Sequence, residues 1–343
     1  MSTYAFVASH HTVDLTTVAA LSAGASGVPD VLASDMARQL GVKGAVVLAT
    51  CNRLEMYVQL HVSAHVPMVR ELIVDSIART SGLDKELVNS SFDVYADDEA
   101  ARHLLTVASG LESAVVGERE ITGQVRRALA AAQAKAQEDG VALPGELVQL
   151  FEHAAHTARQ VGQHTALGAQ GRSIVSVALD LADEVAEKDW STRRALIFGT
   201  GAYAGATIAA LRERGCTDIW VSSRSGRAAE FAAKREVSAV PVDGMEQAMA
   251  SADVIIGCSG GSDPLLPEQI PGGHHTILDL ALSRDFDPSV ADLPNVELIT
   301  LESVRLAAPE ETEESVATAT RIVESELAAF LSRQRSRTID SAI

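Results

Sequence analysis

Residues 194–204, RALIFGTGAYA, decide the fold: a short apolar run ends in a glycine, and a second glycine follows two positions on. Gly199, Thr200, Gly201, Ala202, Tyr203 and Ala204 spell G-x-G-x-x-A directly after a strand-like run and directly before a helical one, 202–214, that stops at Gly215. The first glycine permits a tight turn, the second lets backbone approach a pyrophosphate, and a small third residue lets helix and strand pack closely. Amides at the helix start then face the phosphates. The bland alternative is an ordinary turn between strand and helix, and the strand–turn–helix order favours a dinucleotide site.

Outward from this turn, strand-like runs at 218–223, 252–257, 276–280 and 296–300 flank a helical run at 227–235. Short apolar strands alternating with helices predict a parallel sheet covered on both faces. At the end of the second strand an NAD site places an acidic residue for the ribose 2′-hydroxyl, whereas this chain has Ser222, Ser223, Arg224 and Ser225, followed by Arg227. Hydroxyls and a guanidinium suit a 2′-phosphate, so the expected cofactor is NADPH.

Upstream, strand-like runs (4–8, 45–49, 56–60) mix with helical ones (66–81, 99–111, 121–137) without regular alternation, an α+β pattern that marks a separate domain. The expected class is α/β. Residues 1–144 form an α+β domain, 145–190 a helical connector, 191–304 a Rossmann-type NADP-binding domain, and 305–343 a terminal spinal helix. That last helix begins acidic and ends basic, complementing a helix dipole, with an apolar stripe at Val316, Thr320, Val323, Leu327 and Phe330.

Composition narrows the function classes. Of 343 residues 47% are hydrophobic, too many for a disordered chain. The 46 acidic residues against 28 basic ones give a formal charge of −18, which excludes a general polyanion binder. No apolar run approaches the ~20 residues of a membrane helix. No signal peptide is visible at the N-terminus, and Cys51, Cys216 and Cys258 make no disulfide framework, so a cytoplasmic location without membrane contact is expected. His61/His65, His153/His156 and His274/His275 lack partners at ligand spacing, and no metal is expected.

Cys51 follows a strand-like run and precedes Arg53 by two residues, a placement that suits an exposed, ionised thiol nucleophile; a small core cysteine is the competing reading. The surrounding stretch 48–57, LATCNRLEMY, resembles the active-site signature of the glutamyl-tRNA reductase family. Further segments fit in order: 102–124 (RHLLTVASGLESAVVGEREITGQ), 171–177 (GRSIVSV), the glycine turn, 252–260 (ADVIIGCSG) and 278–288 (LDLALSRDFDP).

The resemblance implies NADPH-dependent reduction of glutamyl-tRNA to glutamate-1-semialdehyde in 5-aminolevulinate and porphyrin synthesis. Cys51 would attack the ester and form a thioester, with His103 near the acyl carbon for proton transfer or polarisation. Arg53 and Glu55 would recognise the glutamyl group, with Thr50, Asn52, Ser109, Glu118, Glu120 and Gln124 lining the same pocket. Ser223, Arg224, Ser225, Ser259 and Gly260 would join the glycine turn around NADPH. Implied partners are glutamyl-tRNA and glutamate-1-semialdehyde aminotransferase. A homodimer is implied only where dimerisation helices follow the spine, and the present sequence reaches Ile343 without them, as in a short form.

Some positions depart from the family pattern. Glu120 stands where the family has Gln, the basic stretch at 158–164 is thinned, and Ala204 fills the third turn position. Two other readings fit parts of the chain. A diverged paralogue acting as a binding or regulatory protein would suit the departures, and an NADP-dependent oxidoreductase of shikimate dehydrogenase type would explain the second half but give Cys51 no role. A tRNA partner further requires a restricted positive surface, for which Arg126, Arg127, Arg159, Arg333, Arg335 and Arg337 are candidates.

Overall fold

The computed structural model describes residues 1–50, 53–113, 116–118, 120–165, 167, 174–185, 188–224, 226–259, 263–281, 284–307 and 313–340. The chain divides into two compact units, Met1–Gly171 with Glu310–Ile343, and Arg172–Pro309.

The first unit begins with β1 (Ser2–Ser9), α1 (Leu15–Gly24), α2 (Val28–Ala33) and α3 (Asp35–Gln39). There follow β2 (Val42–Ala49), β3 (Arg53–Leu60), α4 (Val66–Ser81), α5 (Lys85–Ser90) and β4 (Asp93–Ala96). It continues with α6 (Asp98–Ala108), α7 (Glu120–Glu138) and α8 (Gly145–His164). Local chemistry sets the helix ends: Asp14 and Asp84 accept amide hydrogens at the starts of α1 and α5, and Gly82, at φ 72°, ends α4. The strands form an antiparallel sheet in the order β2-β3-β1-β4, with β2 and β3 a hairpin whose Thr50 N–H donates to Arg53 C=O at 2.9 Å.

Every residue of β3 is buried, because both faces of the sheet are covered. Leu54, Met56, Val58 and Leu60 enter a core with residues of α1, α2 and α4. The opposite face carries Arg53, Glu55, Tyr57 and Gln59, and Tyr57 packs into a second core with residues of α6, α7 and α8. An alternating strand of this kind ordinarily turns its polar face to water; here that face is roofed by helices, Arg53, Glu55 and Tyr57 pair with one another, and Gln59 donates its amide to Glu146 while its Oε1 finds no partner among the described residues.

The second unit holds α9 (Ile174–Glu184), β5 (Arg194–Phe198), α10 (Ala202–Glu213), β6 (Asp218–Ser222), α11 (Ala228–Ala233) and β7 (Ser238–Ala239). After these come α12 (Met245–Ser251), β8 (Val254–Gly257), β9 (His275–Asp279), β10 (Val296–Thr300) and α13 (Leu301–Ala307). All pairings are parallel in the order β10-β9-β8-β5-β6-β7, so the chain reverses direction across the sheet between β5 and β8. That reversal opens the crevice where ligands of such sheets bind.

The last helix, α14 (Glu313–Asp340), returns to the first unit and packs on α6 and α8. Ala319, Val323, Leu327 and Phe330 form its buried stripe; Thr320, expected in it, is exposed, because Ala319 occupies the facing position. The segment 145–190, expected as a connector, is shared out, α8 to the first unit and α9 to the second.

Candidate functional site

In the first unit a charged cluster forms on the roofed face of β3. The Glu55 carboxylate, with no exposed surface, accepts hydrogen bonds from Arg53 Nη1 (2.8 Å) and Tyr57 Oη (2.7 Å), and lies 3.0 Å from His103 Nε2. Burial pushes this carboxyl up; the charges of His103 and Arg53 and the hydrogen bonds from His103 and Tyr57 outweigh it and hold the pKa at about 2. Tyr57, buried beside the Glu55 charge, is shifted far upward, so it remains a neutral donor. Tyr95, on β4, stacks on the His103 ring at 4.9 Å between centroids.

The helix bearing His103 is tied to the sheet at its start: Thr3 N–H donates to Asp97 Oδ1 (3.0 Å) and Asp97 N–H to Thr3 C=O (2.7 Å). After α6 the chain doubles back, with Gly117 N–H on Gly110 C=O at 2.9 Å. Gly110 has φ 76°, and a Cβ there would meet the Glu118 backbone at 3.0 Å, so glycine is required where the loop closes. The same loop presents the Glu112 carbonyl to Arg53 Nη2.

The second signature block thus comes to the β3 cluster. Ser109 is buried, and among the described residues its hydroxyl has no hydrogen-bond partner. Glu118 is buried; desolvation raises its carboxyl to about 7, helped by the Glu120 charge and opposed by Arg53. Glu120 is raised as well, by burial, against the pull of Arg127 and a hydrogen bond from Gln124. Thr50 and Arg53 bracket the tip of the hairpin, and Cys51 and Asn52 lie outside the described residues.

One expectation changes. Glu55 was expected on the glutamyl group; in the structure it is wholly inside, with one oxygen on Arg53 and His103 and the other on Tyr57. Arg53, only 2% exposed, spends its guanidinium on Glu55 and on the Glu112 carbonyl. Tyr57, Tyr95 and Glu112 escaped the sequence reading. Their signal was the R-x-E-x-Y-x-Q alternation on one strand, legible only once both faces are known to be covered.

In the second unit the glycine turn sits at the end of β5. Gly199 adopts φ 117°, and a Cβ there would strike the Cys258 carbonyl at 2.7 Å; its N–H bonds the Ser222 carbonyl at 2.8 Å. At Gly201 an added Cβ meets nothing within 4 Å, which leaves open space over the start of α10. Thr200 keeps a buried hydroxyl without a partner among the described residues, and Ala204 is wholly buried, as a small third residue should be. An open backbone at a helix start, beside an unsatisfied hydroxyl, fits a dinucleotide pyrophosphate. Tyr203 lies on the first turn of α10, and Ser223 and Arg224 follow β6, with Arg224 Nη2 on the Asp263 carbonyl at 2.6 Å. Ser225 and Gly260 lie outside the described residues.

Ser259 donates its N–H to Asp285 Oδ2 (2.7 Å) and its hydroxyl to Oδ1. Gly257 gives this buried aspartate room, since a Cβ there would lie 2.8 Å from Asp285 Cβ. Burial raises the neighbouring Asp279 to about 6, against amide hydrogen bonds from Asp285, Phe286 and Ala281. Neither aspartate was singled out from the sequence. Burial raises Cys216 to about 11 and Cys258 to about 12, so both are packing thiols. Among the described residues no group of His, Cys, Asp and Glu could hold a metal ion, and no helix is long and apolar enough to cross a membrane.

A doubly wound parallel sheet with a glycine phosphate turn defines the second unit as a dinucleotide-binding domain. The family model described as glutamyl-tRNAGlu reductase, N-terminal domain, matches residues 7–165, and that described as shikimate/quinate 5-dehydrogenase matches 180–307. A glutamyl-tRNA reductase of Kocuria rhizophila is 58% identical over 345 residues, covering 100% of this chain and 77% of that protein. One from Micrococcus luteus is 51% identical over 359 residues, with the same coverages of 100% and 77%. Among solved structures, glutamyl-tRNA reductase from Methanopyrus kandleri is 23% identical, with 97% of this chain and 80% of that one covered at a TM-score of 0.49. The chain belongs to the glutamyl-tRNA reductase family.

Proposed function

We propose that this protein reduces glutamyl-tRNA to glutamate-1-semialdehyde at the expense of NADPH, through a thioester on Cys51, as a step of tetrapyrrole synthesis. The observation that carries the reading is the relationship across the whole chain, 58% identity over 345 residues, which embraces both the thiol block and the glycine turn.

Cys51 is the nucleophile: its sulfur bonds to the glutamyl carbonyl carbon, and the bond to the tRNA ribose oxygen breaks. His103 carries the proton between thiol and departing oxygen. Thr50, Asn52, Ser109, Glu118, Glu120 and Gln124 bind the glutamyl group, Ser109 with its unsatisfied hydroxyl and Arg53 by closing the pocket floor. A Glu120 carboxyl raised by burial spends less time ionised, which lessens repulsion of the incoming carboxylate. NADPH, when bound, supplies the hydride that converts the thioester to aldehyde. Gly199, Thr200, Gly201, Ala202, Tyr203 and Ala204 cradle its pyrophosphate, Ser223, Arg224 and Ser225 take the 2′-phosphate, and Ser259 and Gly260 close the far side of the crevice.

Exposed Arg126, Arg127, Arg159, Arg333 and Arg335 form the surface for tRNA phosphates, and binding through them weakens steeply with salt. Location in the cytoplasm and a handover of the aldehyde to glutamate-1-semialdehyde aminotransferase belong to the same reading. The test is semialdehyde formation from purified protein, glutamyl-tRNA and NADPH, with Cys51→Ser alongside. Absence of product from the wild type removes the enzymatic reading, and product from Cys51→Ser removes the thioester.

A further inference from the structure

The reaction needs one ring nitrogen of His103 for proton transfer, and the cluster on β3 specifies which. Glu55 is buried without exposed surface, and its Oε1 lies 3.0 Å from His103 Nε2 and 2.8 Å from Arg53 Nη1. Its other oxygen accepts from the Tyr57 hydroxyl at 2.7 Å. An ionised carboxylate accepts hydrogen bonds and donates none. A hydrogen on Nε2 is therefore the arrangement that satisfies the 3.0 Å contact; a lone pair there would face a lone pair in a buried site.

Two further observations fix the ring. Tyr95 lies against its face at 4.9 Å with 18° between planes, which blocks rotation out of plane. Among the described residues no hydrogen bond reaches Nδ1, and the side chain retains 14% exposure. One nitrogen is spent on the interior, and the other is left for the reaction.

We propose that Glu55 is a positioning residue that holds His103 as its Nε2–H tautomer, so that Nδ1 is the atom through which the thiol proton passes to the departing ribose oxygen. This rests on the function proposed above. As the sulfur–carbon bond forms, the thiol proton moves to Nδ1, giving an imidazolium whose Nε2–H stays on Glu55. As the carbon–oxygen ester bond breaks, the same proton goes from Nδ1 to the ribose oxygen, and neutral imidazole returns with no net change. Tyr57 and Arg53 keep the carboxylate in place during both transfers. An aligned carboxylate orients a catalytic imidazole in this manner in serine hydrolases, where replacing it with its amide costs ~10⁴ in turnover through the wrong tautomer.

The experiment is a long-range ¹H–¹⁵N correlation spectrum of the full chain labelled at histidine nitrogens, with His103 assigned by its absence from His103→Gln. The wild type is expected to show a protonated Nε2 and an unprotonated Nδ1 in the neutral ring. A protonated Nδ1, or an even mixture, overturns the proposal without bearing on whether glutamyl-tRNA is reduced. In Glu55→Gln, whose amide can accept or donate, the expected result is mixed tautomers with kcat down ~10²–10⁴-fold and KM within about threefold. An unchanged tautomer with a raised KM instead makes Glu55 a substrate-binding group and overturns the proposal. Should Glu55→Gln not fold, the wild-type spectrum still decides.

Discussion

The two units build polar sites by opposite means. On β3 the site is made of side chains: Arg53, Glu55, Tyr57 and His103 satisfy one another inside the protein, and the removal of one leaves a charge stranded. At the end of β5 the site is made of backbone: Gly199 and Gly201 contribute by having no side chain, and the space over Gly201 is open. A side-chain site couples function to stability, whereas a backbone site separates them. Substitutions should therefore split, with those on β3 felt in folding and chemistry together and those at the turn felt in either one.

The largest effect is expected at Arg53. Arg53→Ala leaves Glu55 buried without its closest cation, and breaking a buried pair from one side costs ~3–5 kcal/mol, to be read as a shifted denaturant midpoint together with lost turnover. A loss below 1 kcal/mol would break the comparison, since it would mean that the cluster is not tightly coupled. Acid should expose the same coupling. The Glu55 pKa of about 2 lies below its ordinary value of 4.5, so its stabilisation is present above pH 4.5 and is lost as pH falls towards 2. The difference amounts to ~3 kcal/mol by linkage, measurable as a fall in midpoint that Glu55→Gln lacks.

Glu118 runs the other way. Its folded-state pKa of about 7 lies above the ordinary 4.5, so stability present below pH 4.5 declines as pH rises through 7. Glu118→Gln should flatten that decline, worth ~1–3 kcal/mol; a slope identical to wild type would place the effect elsewhere. At the turn, Gly199→Ala forces a Cβ to 2.7 Å from the Cys258 carbonyl at φ 117°. It should destabilise the second unit by ~1–3 kcal/mol. Gly201→Ala meets nothing within 4 Å, so the unit should melt as before while its affinity for NADPH drops at least tenfold by calorimetry. Equal melting losses for the two glycines would erase the distinction.

The same contrast explains what the sequence made legible. G-x-G-x-x-A is a local signal, since backbone conformation at Gly199 and close packing at Ala204 are demanded within a few residues. The parallel sheet followed from it, apart from β7, whose two residues are too few for a pattern. In the first unit α1 was missed, for its Ala- and Leu-rich run carries no polar face, and β4 was missed because four residues show no period. The cluster on β3 depends on partners far along the chain, His103 and Glu112 among them. Resemblance could assemble those residues, but it gave no sign that Glu55 is wholly enclosed. Burial of a strand's polar face is a tertiary event that alternation alone does not reveal.

The account turns on the thioester, and one measurement reaches it directly: the intact mass of the protein after mixing with glutamyl-tRNA in the absence of NADPH, followed by peptide mapping. The expected result is a single added glutamyl group on the peptide containing Cys51, discharged as glutamate-1-semialdehyde when NADPH is added. No adduct on the wild type, or an adduct that persists in Cys51→Ser, would contradict it.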